Sequence, residues 1–271
     1  EAQKKYKPNN WDRYDTNWKD ATISDNALMY NNNVTLSGGS DKINFFSSLT
    51  NMHQDGLIAN DNYKRTNLTL NADAQLYSWL KIGVESALRF STLRNPGAGS
   101  PKAIINQALY MLPTLSAVHE LDGNWGYGKN GLNPTAMAED SGFSKTKTHE
   151  SVLGGTFTIT PFAGMEINGQ YSRRQVTSRG RKVIQPYTVS LAGQVMGQYP
   201  NEDRVSESWS ESVRNYYKIQ ASYEKTMRKH YGKLLAGFQA EDNDYSDFGA
   251  ARKFFDLGKW LSLIHISEPT R

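Results

Sequence analysis

The sequence predicts an all-β fold: about eight antiparallel strands forming part of a large transmembrane β-barrel, with short turns at one end and long loops at the other. Three observations lead there. Apolar and polar side chains alternate over long stretches, which puts them on opposite faces of a strand. Short and long connections between those stretches also alternate. Finally, no run of about 18 apolar residues exists to form a membrane-spanning helix, whereas a barrel strand needs none, since every second residue is polar.

Candidate strands fall at 29–37, 43–52, 64–76, 81–93, 151–160, 164–174, 213–225 and 233–242. In the third, Leu68, Leu70, Ala72, Ala74 and Leu76 interleave with Asn67, Thr69, Asn71, Asp73 and Gln75. In the fourth, Ile82, Val84, Leu88 and Phe90 interleave with Lys81, Glu85, Arg89 and Ser91. The sixth sets Met165, Ile167, Gly169 and Tyr171 against Glu166, Asn168, Gln170 and Ser172. The seventh sets Val213, Tyr217, Ile219, Ala221 and Tyr223 against Arg214, Lys218, Gln220, Ser222 and Glu224. Amide and carboxylate side chains this dense suit a wet lumen facing away from lipid. Each stretch is about the 9–11 residues that cross a membrane when tilted.

The turns at 38–42, 77–80, 161–163 and 227–232 are short, while 54–62, 95–150 and 177–212 are longer, two of them very long. Odd-numbered strands would then run toward the periplasm and even-numbered ones toward the outside. Structureless loops of that length are unusual in a compact soluble domain and tend to carry function. Tyr77 and Trp79 sit at a short turn, where aromatic girdles mark a membrane boundary, and Trp260 reads the same way. Within the longest loop, residues 101–112 could form a short helix, with Ser100 as N-cap, Pro101 at the first helical position and Pro113 ending it.

Composition narrows the function. Cysteine is absent, so there is no disulfide framework, thiolate metal site or thiol nucleophile. The net charge of +4 is mild and dispersed, and no basic face with interleaved aromatics suggests nucleic acid as a partner. His53, His119, His149, His230 and His265 lack any metal-ligand spacing, and no Gly-x-Ser-x-Gly elbow is present, so no metal site and no catalytic residue is expected. Glu241, Asp242, Asp244 and Asp247 read as a solvated rim or loop. Arg173, Arg174, Arg179, Arg181 and Lys182 read as a solvated surface loop within reach of lipopolysaccharide phosphates or an acidic glycan.

The candidate ligand contacts are Trp125 and Tyr127, flanked by glycines, with Asn124 and Asp122 beside them. Sugar rings present C–H faces that stack on aromatic rings, and the amide and carboxylate could bond hydroxyls. The same aromatics would also serve to pack the loop against neighbouring parts of the protein.

The order of motifs resembles a known family. Asp15-Thr16-Asn17-Trp18-Lys19-Asp20 is followed by Ser37-Gly38-Gly39-Ser40-Asp41-Lys42, Gln54-Asp55-Gly56-Leu57-Ile58 and Tyr63-Lys64-Arg65-Thr66. Asp122-Gly123, Asn133-Pro134 and Leu235-Ala236-Gly237-Phe238-Gln239-Ala240-Glu241 come later. Over residues 12–258 the chain is similar to the early barrel of the starch-utilisation (SusC/RagA-type) TonB-dependent transporters. The resemblance implies a 22-stranded barrel of the Gram-negative outer membrane, plugged by an N-terminal domain that contacts TonB. It further implies a SusD-like lipoprotein lid and import of glycans or peptides without covalent chemistry or a cofactor.

Residues 1–28 are then expected to lead from a missing plug, with Trp18 anchoring barrel to plug, and 29–260 to form part of the barrel. Residues 261–271 look like a translated sequencing adapter, which would place the end of the natural sequence near Trp260. Two alternatives stay open: a siderophore or vitamin TonB-dependent receptor, and a soluble secreted carbohydrate-binding β-sandwich. The sandwich would need less polar inner faces and no systematic alternation of connections.

Overall fold

The computed structural model describes residues 14–253. The expected adapter segment 261–271, His265, Trp260 and the first part of the expected plug linker lie outside the described residues. Eight long strands form one antiparallel sheet: β1 (Met29–Gly39), β2 (Ile43–Asp55), β3 (Asn62–Tyr77), β4 (Leu80–Pro96), β6 (Gly142–Ile159), β7 (Met165–Ile184), β10 (Arg204–Met227) and β11 (His230–Lys253). They pair in chain order, so the sheet is a meander whose two edges are β1 and β11. Four tight turns lie at one end and three longer connections at the other, as expected of a barrel wall. A second sheet of comparable size, which a sandwich needs, does not occur among the described residues.

Register carries the alternation of each strand across the whole sheet. Ile43, Ala74, Ile82, Phe157, Gly169, Ile219 and Phe238 lie opposite one another in a single row. Two residues toward the loops, Phe45, Ala72, Val84, Gly155, Tyr171, Tyr217 and Ala240 form the next. These rows make an apolar belt whose side chains stay open, with Val84 55% and Phe238 66% exposed. Exposure on that scale is what lipid contact requires.

The belt slopes. Its upper edge is the row Leu49–Leu68–Leu88 on β2 to β4, but that row continues as Ser151, Gln175, Val213 and Asp244 on the later strands. Ladder rows run perpendicular to the strands, so a flat lipid slab crossing tilted strands must cut from row to row.

The intervening row is polar: Asn44, Asp73, Gly83, Thr156, Gln170, Lys218 and Gln239. This face carries the ion pairs Lys81–Asp73 (2.9 Å), Arg89–Glu150 (3.2 Å), Arg174–Glu150 (2.8 Å) and Arg214–Glu241 (3.2 Å). It is also the concave side: a hollow of about 380 Å³ is lined by Asn44, Asn71, Asp73, Lys81, Glu85 and Thr156, among others. The concave polar face matches a hydrated lumen wall.

All eight expected strands form, but several are much longer than expected. β6 begins at Gly142 and β7 ends at Ile184, while β10 and β11 each run 24 residues. At roughly 3.3 Å per residue such a strand spans about 80 Å, far more than the roughly 9–11 residues a membrane needs. The upper parts extend beyond the membrane-crossing stretch, where no lipid selects apolar residues on every second position, so the sequence there reads as loop. Two assignments change as a result. Arg173, Arg174, Arg179, Arg181 and Lys182 lie on β7, not in a loop. Glu241, Asp242, Asp244 and Asp247 lie on β11, where the pleat puts Asp242 and Asp244 on one face and Glu241 and Asp247 on the other instead of gathering all four.

At the turn end Tyr77 and Trp79 stack with ring centroids 5.5 Å apart, and Phe162 meets Tyr223 edge-on at 6.1 Å. Tyr77, Trp79 and Phe162 are exposed, in keeping with an interfacial girdle.

Candidate substrate-contact site

The long connections build a small layer at the far end of the sheet. It contains α1 (Trp18–Thr22), α2 (Pro101–Tyr110), α3 (Pro134–Glu139) and a three-stranded sheet of β5 (Trp125–Gly126), β8 (Tyr187–Leu191) and β9 (Gln194–Tyr199). α2 forms where expected, with Ser100 Oγ accepting from Ala103 N at 3.3 Å and Pro101 in the first turn. Its core is Ile58, Ile104, Ala136, Met137, Ala138, Tyr187 and Val189, with Trp125 and Tyr127 packed against it.

Trp18 enters this layer. It is 2% exposed, and its Nε1 donates to Leu112 O at 3.3 Å, while Thr16 N donates to Pro113 O at 3.0 Å. Trp18 therefore anchors the segment before β1 to the longest loop.

Asn133 is the hub of the loop. Its side-chain nitrogen donates to Val118 O and Gly126 O, both at 3.0 Å, while its Oδ1 accepts from Thr135 N and Ala136 N, both at 3.1 Å. One buried amide thus caps α3 and ties it to the turn carrying the aromatics. Gly126 is required there, since a Cβ would lie 1.9 Å from Ala117 O. The glycine flanking Trp125 serves close backbone packing, not flexibility.

All four sequence-predicted contacts come together on this turn. Trp125 is half-buried. Its ring lies 4.0 Å from that of His119 and meets Tyr187 edge-on at 6.5 Å, and its Nε1 donates to Asp140 Oδ2 at 3.2 Å. Asn124 Nδ2 donates to Asp122 Oδ2 at 3.0 Å and to Ser190 Oγ at 3.1 Å. Hydrogen bonding from Ser190, then from Asn124, holds the exposed Asp122 carboxyl below its usual range. Tyr127 N donates to Ser190 O at 2.9 Å. The turn is therefore rigid: an exposed carboxylate and a half-buried indole sit on a hydrogen-bonded frame, with the indole N–H already occupied.

Sequence reasoning missed His119, Asp140, Tyr187, Ser190 and Tyr199. Tyr187 and Tyr199 lie 5.7 Å apart beneath the turn, and burial pushes both hydroxyls up in pKa. No local spacing connects residues 119, 140 and 187; Trp125 gathers them, through its antiparallel bridge with His119, its hydrogen bond to Asp140 and the pairing of β5 with β8. Among the described residues no group of three or more His, Asp or Glu side chains is set to hold a metal ion.

No family model matches the chain. A TonB-dependent receptor, P3, of Formosa agariphila is 24% identical over 251 residues, covering 88% of this chain and 24% of the relative. The chain thus spans about a quarter of that relative's length. Among solved structures, the RagAB peptide importer in its closed-closed state aligns with a TM-score of 0.73 at 18% identity, over 95% of this chain and 29% of the other. The same importer in its open-open state gives 0.74 at 19%, over 95% and 28%. The fold is that of part of the barrel of a SusC/RagA-type TonB-dependent transporter, and the proteins it resembles are a receptor and importers, not enzymes.

Proposed function

We propose that this chain is the early-barrel part of a TonB-dependent importer of the Gram-negative outer membrane, working with a SusD-like surface lipoprotein to take up glycans or peptides. The observation that supports it most is the sheet itself, with its sloping lipid-facing belt and its polar concave face. The segment before β1 would come from a plug domain resting against the lumen wall. Work delivered through TonB would shift that plug and open a path along the polar face. No step forms or breaks a covalent bond.

In this reading the loop layer meets substrate and lid. Asp122 offers an exposed acceptor, and Asn124 and Tyr127 hold the turn in place. Trp125 presents the part of its ring not covered by His119 and Tyr187. A peptide cargo has support from the solved neighbours, which are described as a peptide importer. Glycan cargo rests on the half-exposed aromatic.

Uptake of labelled oligosaccharides and oligopeptides by cells carrying the full-length protein tests this. Uptake should vanish without TonB and fall sharply without the lipoprotein. Uptake indifferent to TonB would overturn the reading.

A further inference from the structure

The convex face of the wall carries charge in a pattern that the import reading does not use. Above the apolar belt, one ladder row reads His53, Lys64, Thr92, Lys147, Arg179 and Trp209. The next reads Asp55, Asn62, Arg94, Lys145, Arg181 and Glu207. On β3, β4, β6 and β7 this face holds no Asp or Glu above the belt. Acids return on the strands to either side, as Asp55 on β2, Glu207 and Glu211 on β10, where Glu211 accepts from Gln175 and Thr177, and Asp242 and Asp244 on β11.

Two cations of the patch are already engaged. Arg181 Nε lies 3.7 Å from Glu207, and Arg94 donates to Asn60 at 3.0 Å beneath the Phe143 ring. Lys64, Lys147 and Arg179 stand exposed and Lys145 is half-buried. Neighbouring strands are about 4.8 Å apart and alternate residues about 6.6 Å apart, so Lys145, Lys147 and Arg179 frame a space of phosphate size. The patch begins four residues above Leu68 on β3 and six above Leu153 on β6. With strands tilted by about 40°, that is roughly 10–15 Å above the acyl region.

We propose that this band binds the phosphate-bearing saccharide of the outer-leaflet glycolipid, lipopolysaccharide, fixing the wall's rotation and depth in the membrane. The inference rests on the outer-membrane reading above. Its warrant is charge complementarity continuous with the lipid-facing belt: acyl chains cover the belt, and the anionic groups attached to those chains stand at the height of the cations. Arg and Lys bind phosphate through charge-assisted hydrogen bonds.

The test uses the full-length protein, extracted in detergent and stripped of lipid, with lipopolysaccharide, its dephosphorylated form and inorganic phosphate as probes. Intact lipopolysaccharide should bind at least about tenfold tighter than the dephosphorylated form. A Lys145→Ser, Lys147→Ser, Arg179→Ser variant should lose that advantage, while Arg214→Ser with Lys218→Ser, on the lumen face, should keep it. Equal binding of the two glycolipids by the wild-type protein overturns the inference even if the triple variant fails to assemble. Saturation by inorganic phosphate at similar concentrations would mean a free-anion site and also overturns it. A protein that stays soluble without detergent removes the membrane reading and this inference together.

Discussion

Asn133 shows how much of the loop layer depends on a single side chain. Asn133→Ala would leave the Thr135 and Ala136 N–H groups and the Gly126 carbonyl without their partner, each costing about 1–3 kcal/mol if it stays dry, while Val118 O keeps its bond from Gly126 N. Amides in 115–140 and 187–199 should then exchange faster, with the wall unaffected; unchanged exchange would remove Asn133 from its place as hub. Asp122 gives a pH dependence of known sign. Its folded pKa is depressed, so its contribution is fully present above the ordinary carboxylate value of about 3.9 and is lost as pH falls through the depressed value. The 122–124 turn should loosen on that acid side, and Asp122→Asn should abolish the dependence in amide exchange. For Trp125, the expected result of Trp125→Ala in the full-length transporter is weaker substrate affinity and slower uptake. Values equal to the wild type would leave the ring a packing role against His119 and Tyr187. The sequence showed that these aromatics belong together, because glycines and an Asp-Gly turn lie side by side. It could not show that the indole N–H is already taken by Asp140 or that half the ring is covered.

At the scale of elements, every membrane-crossing stretch was legible because lipid on one side and water on the other impose a period of two. An outward Val84→Arg or Ile219→Arg should cost about 2–4 kcal/mol near the midplane, while the inward Gln220→Arg should cost little. Equal penalties on both faces would contradict the assignment of the belt. The upper halves of β6, β7, β10 and β11 were not legible, since no lipid imposes an apolar period of two there and the few buried apolar positions, such as Val183 and Val205, stand apart from one another in the sequence. Their ladders are nonetheless continuous through Gly142, Ile184 and Arg204. Amides of 142–150, 175–184 and 204–212 should therefore exchange as slowly as those of the membrane region. Exchange at loop rates would return these stretches to loops. α2 was readable from its cap and two prolines, whereas α3 carries a similar local start, Asn133 as N-cap and Pro134 in the first turn, but at six residues is too short to show a helical apolar period.

For the molecule as a whole, the decisive property is which side of the sheet meets lipid. The eight strands leave β1 and β11 unpaired at the edges, so residues 14–253 produced alone should aggregate unless held in detergent. Within the full-length transporter the wall can be probed directly, since these 271 residues contain no cysteine to interfere. Single cysteines would be placed along β10 at Tyr217, Lys218, Ile219, Gln220, Ala221 and Ser222, and each labelled in intact outer membranes with a water-soluble, membrane-impermeant maleimide. The expected pattern is strict alternation, with rapid labelling at 218, 220 and 222 from the aqueous lumen and protection at 217, 219 and 221 by lipid. Uniform labelling of all six would show water on both faces, and the sheet would not be a barrel wall.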